Sequence, residues 1–494
     1  MKKLITLLLA VCMVMSLAAC GAGTAESNKT ESAAGSEDAA LDKITIWTDA
    51  FASSEESIKA VRDQFKADTG VELDWVSFPK EDYENVVMAS LMSCDEDDLP
   101  DIIFNAPLGT MLRQEMLYDM APLFRNNEKM ADLVEKQPSL LASGRAGDSL
   151  YSIASQAAQA MVFWIRGDIM EELNLEQPTS LEEFTDMLRT IKSAHPELIT
   201  LTGPAKIDYW DAASGWFGVK NKVIQKADGK FVDNTLSPEY KEYMDYMKML
   251  YAEGLLDKEL PTNNSMGDVR TKFFSGKAAV TLMWDNLYRL FEQGLEDNGI
   301  SAKPTYLQPI DGERGSLGMM YNPAQNMYCM TIGVGSDERA QKVFDTFFTW
   351  MYTTDGGISI NGLGPKGVVW DTDAEGYNVG GVLDPGIKPL DWHVALQAGW
   401  ELPYKLAARE ARNEECISNI RAELSKRVGT VQEEIPGPAY LDYCGIVEDL
   451  MTKRTELFHL YITGQSDYDS FCAEYQAYCD EQGLQDMLNE MNAQ

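Results

Sequence analysis

An aromatic, an acidic and an amide side chain stand together at Trp284, Asp285 and Asn286, directly after an apolar run. An indole can stack on a flat apolar face, and the neighbouring carboxylate and carboxamide can hydrogen-bond to its rim. The run, Ala278–Met283, has the length of a buried strand and is too short for a buried helix. Because ligands bind at the carboxyl ends of strands in open α/β sheets, we expect this strand to join two lobes and present Trp284 to a solute between them. The alternative is that Trp284 is part of the core.

Polar and aromatic side chains also follow other predicted strands. Trp47 and Asp49 end the first strand, and Asn105 ends the third. Tyr209 and Trp210 follow a Gly-Pro pair in a turn-prone segment. Their position at chain turns favours a cleft, although Trp210 could equally pack the loop against its own lobe.

The elements that would position these residues alternate regularly at the start of the chain. Apolar and β-branched runs predict strands, and 3.6-residue spacing predicts helices between them. The predicted order is strand Lys43–Trp47, helix Glu55–Thr69, strand Val71–Val76, helix Tyr83–Met92 and strand Leu99–Asn105. This alternation predicts an α/β fold with a parallel sheet covered by helices.

The amino terminus resembles that of a bacterial lipoprotein. Two lysines precede a short apolar run, which is typical of a signal peptide, and small residues stand immediately before Cys20 as in a lipobox. The resemblance implies cleavage after residue 19 and a diacylglyceryl group on Cys20. Residues 20–41 are then the lipidated cysteine and a flexible tether rich in Ala, Ser, Gly and Glu. An ordinary signal peptide with a chance cysteine is the alternative.

Charge and length restrict the class of protein. The formal net charge is −36 over 494 residues, and such a surface repels nucleic acid and anionic lipid. A globule of about 450 residues exceeds the usual size of a single core, so we expect two domains. Removal of residues 1–19 takes away Lys2 and Lys3 and no acid, which leaves a mature charge of −38.

Composition and motifs argue against metal and nucleophilic chemistry. Apart from Cys20, six scattered cysteines remain in the mature chain, and only three histidines occur, so we expect no disulfide scaffold and no zinc site. Asp371–Gly376 resembles the start of a calcium loop, but the twelfth position is Val382 where an acid is needed. A β-turn between strands is the better interpretation. We therefore expect no metal and no cofactor.

From residue 42 onward the sequence resembles the extracellular solute-binding proteins of ABC importers, in the maltose-binding-protein-like sugar-binding branch. No single segment is specific to this family, but the order and spacing of several segments are. The segments that carry the resemblance are 99–105, 115–123, 161–173, 178–184, 237–257 and 274–279. Two of them, 161–173 and 274–279, are similar to the family's crossings between lobes.

The resemblance implies a two-lobed, type II periplasmic-binding-protein-like fold with a hinge. The expected first lobe comprises residues 42–160 with 285–335, and the expected second lobe comprises 161–284 with 336–494. It further implies a monomer that is not an enzyme, is held at the extracellular face of the cell membrane, and delivers a saccharide to ABC permease subunits.

The apolar faces and hydroxyl rims of sugar rings match aromatic side chains paired with acids and amides. The implied binding residues are Trp47, Asp49, Asn105, Tyr209, Trp210, Trp284, Asp285 and Trp400, with Trp392 as a rival to Trp400.

Two other functions remain open from the sequence. With 78 acidic residues, a carboxylate pair for glycoside hydrolysis is compatible with the chain, which would make it a lipid-anchored glycan-degrading enzyme. A binding protein for a peptide or another non-sugar solute would instead use the tryptophans as hydrophobic walls.

Overall fold

Two β-sheets, each flanked by helices, organise the chain in the computed structural model. The structure describes residues 40–493 except for the segments 50–54, 80–82, 95–97, 106–107, 142–143, 147, 156–158, 222–223, 228, 323–326, 369, 375–377, 380–411, 413–414, 421, 424–442 and 444–445. The predictions for Cys20, Val382, Trp392 and Trp400 concern residues outside the described part.

The strands are short and are numbered in chain order. They are β1 Lys43–Asp49, β2 Glu72–Phe78, β3 Ile102–Phe104, β4 Arg145–Ala146, β5 Ser149–Leu150, β6 Ile153–Ala154, β7 Gln159–Arg166, β8 Ile199–Thr202, β9 Ile224–Ala227, β10 Lys230–Asp233, β11 Ala278–Trp284, β12 Pro304–Tyr306, β13 Ile310–Asp311, β14 Ser316–Leu317, β15 Met319–Asn322, β16 Met327–Met330, β17 Asp371–Thr372 and β18 Asn378–Val379.

The helices are numbered in the same way. They are α1 Glu55–Thr69, α2 Tyr83–Ser93, α3 Leu108–Arg113, α4 Glu128–Lys136, α5 Gly167–Glu172, α6 Leu181–Ala194, α7 Asp211–Ser214, α8 Pro238–Ala252, α9 Met266–Phe274, α10 Tyr288–Asp297, α11 Asp337–Val343, α12 Thr349–Thr353, α13 Asp355–Leu363, α14 Val447–Ile462, α15 Tyr468–Gln482 and α16 Leu484–Met491. Among the described residues, no helix is long and apolar enough to cross a membrane.

The first sheet has the strand order β2-β1-β3-β16-β6. Its first three strands are parallel, as the alternation of strands and helices predicts. β16 joins antiparallel to β3 after an excursion of more than 200 residues, and it also pairs with β6. The chain therefore leaves this sheet after β6 and returns to it at β16.

The second sheet has the order β12-β7-β11-β8, and β15 pairs with the start of β7. β11 is antiparallel to β7 and parallel to β8. The prediction that β11 joins two lobes is therefore wrong, because β11 is an inner strand of this sheet and the following α10 packs behind it. The chain passes between the two sheets after Ser155 and again after Asn322.

The hydrophobic cores correct the expected lobe assignment. Residues Leu41–Gln494 form one compact unit that contains several cores. Phe347 and Trp350, expected in the second lobe, pack against Phe65 of α1 beside the first sheet. Conversely β12 and β15, expected in the first lobe, belong to the second sheet. The carboxyl-terminal helices α14–α16 contribute to the second sheet's core, as expected.

Local predictions are met where the pattern is strong. The predicted strand after Lys43 and the predicted helix Glu55–Thr69 are confirmed. Between α11 and α12 the chain forms a π-helical turn, Phe344–Phe348. β17 and β18, on either side of the calcium-like segment, pair antiparallel.

Candidate functional site

The carboxyl ends of β8 and β11 form one edge of the second sheet. Trp284, the last residue of β11, lies opposite Met161 near the start of β7. The carboxylate of Asp285 accepts a hydrogen bond from the backbone N–H of Ala160 at 3.2 Å. β7 begins just after the chain arrives from the first sheet. This edge of the second sheet therefore lies on the side where the chain crosses between the two sheets, which is called the passage side below.

The corresponding edge of the first sheet carries the polar residues predicted there. Asn105 has φ 53°, in the left-handed region that Asn tolerates better than most residues. Its backbone N–H donates to the carbonyl of Met327 at 2.8 Å, and its side-chain amide donates to Asp49 at 3.3 Å. Met327 follows the second passage, so Asp49 and Asn105 also lie on the passage side.

Two aromatic rings meet at the edge of the second sheet. The rings of Tyr209 and Trp284 are 5.7 Å apart between centroids and are nearly perpendicular, at 84°. Both side chains are half-buried. The carbonyl of Trp284 accepts a hydrogen bond from the indole N–H of Trp164 at 3.0 Å, which fixes the backbone at the strand's end. The pair therefore offers partly exposed aromatic surface in an edge-to-face arrangement.

A buried polar network holds the loop that carries Tyr209. Asp257 accepts hydrogen bonds from the Thr202 hydroxyl at 2.6 Å, the Asn263 amide at 3.0 Å and the Lys272 amine at 2.9 Å. Burial opposes ionisation of Asp257, but these donors outweigh it and lower its pKa. The Ala205 N–H donates to the carbonyl of Asn263, so the loop is bound to the segment before α9.

Trp210 does not form a binding platform. It is 1% exposed, it contacts Phe163 in the core, and its indole N–H donates to the carbonyl of Pro204 at 2.8 Å. A Cβ on Gly203 would lie 2.6 Å from the Trp210 ring, so the loop requires glycine there. The prediction of a ligand contact is corrected: Trp210 packs the loop onto its own core.

Trp47 and Asp285 are also buried rather than open to a cleft. Trp47 is 8% exposed and packs against Phe78, with ring centroids 5.1 Å apart. Asp285 is fully buried, and its carboxylate anchors β7 through Ala160 as described above. Asp49 is 5% exposed and accepts a hydrogen bond from the Asn105 amide, so none of these three side chains presents a surface to a ligand.

Charged groups surround the Tyr209 loop. The Lys206 amine lies 3.1 Å from Glu448 of α14 and 3.7 Å from Asp208. Burial raises the pKa of Asp208 to about 6, and Lys206 only partly offsets this. Burial also raises the pKa of Tyr209, so its hydroxyl stays protonated and can donate a hydrogen bond. Arg166, the last residue of β7, pairs with Asp168 at 2.5 Å.

The sequence of the chain matches a known protein family. Residues 48–357, more than half of the chain, match the family model of the bacterial extracellular solute-binding proteins. The chain belongs to that family.

Named relatives of this solute-binding protein match over part of their length. Lipoprotein LipO of Bacillus subtilis (strain 168) is 24% identical over 285 residues, which are 53% of this chain and 52% of LipO. The fructooligosaccharide ABC transporter substrate-binding protein FusA of Streptococcus pneumoniae serotype 4 is 22% identical over 263 residues, 46% of each chain. The chain thus spans about half the length of each of these relatives.

A solved structure extends the likeness of the fold over nearly the whole solute-binding protein. The alginate-binding protein AlgQ2, solved without calcium ion, superposes with a TM-score of 0.63 at 18% identity, covering 91% of this chain and 97% of AlgQ2. The fold is therefore the two-lobed type II arrangement expected from the sequence. Among the residues that the structure describes, no group of three or more His, Cys, Asp or Glu side chains is placed to hold a metal ion.

One part of the site in this solute-binding protein has no signal in the local sequence. Helix α14 lies beside the Tyr209 loop, where Glu448 reaches Lys206 and His459 contacts the carbonyl of Ala205. These contacts join residues more than 240 positions apart. The apolar spacing of α14 predicts only that it packs on a core, and no local pattern indicates which loop its polar face meets.

Proposed function

We propose that the chain is a lipid-anchored extracellular binding protein that captures a saccharide and delivers it to an ABC permease. The observation that carries this proposal is the half-buried pair of Tyr209 and Trp284 at the carboxyl ends of β8 and β11. Aromatic faces beside acids and amides suit the apolar faces and hydroxyl rims of sugar rings.

Two further observations support a saccharide ligand. FusA, the relative named for fructooligosaccharides, matches 46% of this chain. Asn105 at the edge of the first sheet is half-buried and supplies an amide on the side of the passages, and the buried carboxylate of Asp49 orients that amide. The bound sugar would contact Tyr209 and Trp284 on one lobe and Asn105 on the other.

Closure of the two lobes would commit the ligand for delivery. We assign the first lobe to residues 42–155 with 327–363 and the second lobe to 159–322 with 443–493, following the two sheets and their cores. A ligand that contacts both lobes favours the closed state, which changes the surface that the permease meets.

A thermal-shift screen tests the binding function directly. The panel contains neutral series (kestose and nystose; maltotriose and maltotetraose), acidic series (oligomers of alginate and of galacturonate) and short peptides. A ligand present at 100 times its dissociation constant should stabilise the protein by about 2.7 kcal/mol. We expect stabilisation by at least one saccharide series and none by peptides.

Product analysis on the same samples separates binding from catalysis. Every saccharide that stabilises the protein should be recovered intact after long incubation. Cleaved or unsaturated products in proportion to the protein added would instead favour the glycan-degrading enzyme. Stabilisation by peptides alone would favour a peptide-binding protein.

A further inference from the structure

A remote part of the chain packs beneath the strand that ends at Trp284. Ile420 has no exposed surface and belongs to a core that also contains Trp164 and Met283. Trp284 and Cys416 pack against that core from partly buried positions, and the indole N–H of Trp164 donates to the Trp284 carbonyl. The position of Trp284 therefore depends on residues more than 130 places later in the sequence.

This remote part is a short helical stretch, residues 415–420, with one face on the core. Cys416 and Ile420 are four residues apart and so share that face. Burial, together with the nearby carboxylate of Asp285, raises the pKa of the Cys416 thiol to about 12. The stretch therefore reaches the residue that directly follows Trp284. Residues 415–420 and the preceding Arg412 are called the brace below.

Arg412 holds the brace to the helix that follows Trp284. Its Nη2 donates to both carboxylate oxygens of Glu292 at 3.0 Å, and Arg412 also donates to the Tyr288 hydroxyl. Tyr288 begins α10 and Glu292 lies one turn further on, so Arg412 contacts the start of a helix that begins four residues after Trp284. Because Arg412 is 40% exposed, solvent screens the pair and its contribution to the free energy of unfolding is small. Two hydrogen bonds to one carboxylate nevertheless fix the direction in which α10 leaves the strand.

We propose that Arg412 is a positioning residue for the binding site: through Glu292 it holds the brace against α10 and keeps Trp284 at the angle at which it stacks on a sugar. The inference rests on the proposed saccharide function and adds a residue, remote from the ligand, that sets the affinity. Without the pair the fold remains, but the end of β11 gains freedom. Trp284 must then be ordered when the sugar binds, which weakens binding.

Calorimetric titration with kestose, nystose and the other saccharides of the panel tests the inference. Arg412→Gln and Glu292→Gln each remove the ion pair, and we expect binding to be about 2- to 10-fold weaker, the cost of ordering one aromatic side chain. The double variant should bind no more weakly than the weaker single variant, because both act through one contact. Arg412→Lys keeps the charge and should recover part of the affinity.

Arg339→Gln is the matched control. Nη2 of Arg339 donates to both carboxylate oxygens of Asp101 at 2.8 Å, and the two side chains are 39% and 4% exposed, against 40% and 10% for Arg412 and Glu292. This pair lies at the amino end of β3, opposite the end that carries Asn105. Its removal should destabilise the protein at least as much as loss of the Arg412 pair, because Asp101 is the more buried acid, and should leave saccharide affinity unchanged.

A second measurement needs no ligand. In protein labelled with 5-fluorotryptophan, the ¹⁹F signal of Trp284 is assigned by its loss in Trp284→Phe. We expect this signal to shift or broaden in Arg412→Gln and to remain as in wild type in Arg339→Gln.

The outcomes separate this inference from the function on which it rests. Weaker saccharide binding in Arg412→Gln, with Arg339→Gln unchanged, supports the inference even if Glu292→Gln does not fold. Saccharide affinity that Arg412→Gln leaves unchanged, or that Arg339→Gln lowers equally, overturns the inference and leaves the proposed function standing. If no saccharide binds wild type, the proposed function fails. A Trp284 signal that moves in Arg412→Gln alone would still support the positioning of Trp284 by Arg412, and an unmoved signal would overturn it.

Discussion

Trp284 and Trp210 lie close to the same sheet edge but in different surroundings, which gives opposite expectations for their removal. Trp284 is half-buried and touches Tyr209 edge to face. Trp284→Ala should weaken saccharide binding by roughly 1–3 kcal/mol, through loss of aromatic contact and apolar area. The loss in the free energy of unfolding of the unliganded protein should be smaller than the loss in the free energy of binding. Paired thermal melts with and without the sugar that emerges from the screen give both quantities.

Trp210→Ala is the matched comparison for that experiment. Trp210 is 1% exposed and bonded to the carbonyl of Pro204, so its truncation should cost about 3–5 kcal/mol of stability. The folded fraction should keep its affinity. If Trp284→Ala instead melts far lower than wild type and retains its full ligand-induced shift, Trp284 is a core residue and leaves the site.

Asp208 gives the protein a titration near neutral pH. Its pKa rises from 3.8 to about 6 on folding because burial disfavours the charged carboxylate. Between these values the folded state binds more protons than the unfolded state, so stability falls as pH rises through the window from about 4 to about 6. The total loss is on the order of 2–3 kcal/mol. Asp208→Asn should remove this component, which urea melts from pH 4 to pH 7 would detect.

Asp297→Asn is the control for the titration. Asp297 is an exposed acid at the end of α10, outside the Tyr209 loop. The Asp297→Asn variant should show the same change of stability with pH as the wild-type protein. A wild-type profile that Asp208→Asn reproduces in full would contradict the assignment of this titration to Asp208.

At the residue scale the sequence predicts positions better than exposures. Trp284 and Tyr209 were predicted because aromatic residues follow a strand and a turn, and the structure places their rings in contact. Asp285 satisfies the same criterion but faces Ala160 inside the sheet. Which neighbour turns towards solvent depends on strands far away in the chain, and no local pattern encodes that.

Helix α14 is held against its lobe by a buried cation. Arg454 has no exposed surface, donates to the Thr235 hydroxyl at 3.2 Å and to the carbonyl of Asn221, and lies over the ring of Tyr240 at 5.8 Å. Arg454→Ala would leave buried acceptors without donors and create a cavity. We expect a loss of about 3–5 kcal/mol in urea denaturation.

The adjacent Lys453 is the control for that variant. It lies on the same helix and pairs with Glu456 at 3.3 Å near the surface. Lys453→Ala should cost less than about 1 kcal/mol, because exposed ion pairs contribute little. Equal losses of unfolding free energy in both variants would mean that Arg454 contributes no more than a surface charge. That result would contradict the role of its buried contacts.

Element identity was predictable where periodicity is local, and sheet membership was not. The apolar run Ala278–Met283 predicts a strand, and β11 is that strand. Its place between β7 and β8 depends on pairings with residues about 80 and 120 positions earlier in the chain. The same limit explains the wrong assignment of 336–352: its aromatic face is evident in the sequence, but the contact with Phe65 is not.

At the scale of the whole molecule, charge and anchoring are linked. The chain carries a formal net charge of −36, so an anionic membrane surface repels it and electrostatics cannot retain it there. Lipid on Cys20 is therefore the one attachment we propose.

Replacement of that cysteine tests the anchoring. Cys20→Ala should leave the protein unprocessed or release it into the medium, because anionic lipid repels a chain of net charge −36. Immunoblots of membrane and medium fractions, with the mass of the mature amino terminus, measure the outcome. Cys94→Ala is the control, since Cys94 is a half-buried free thiol in the folded part and should leave the protein membrane-bound. A processed Cys20→Ala protein that remains on the membrane would show that something other than the lipid holds this acidic chain there.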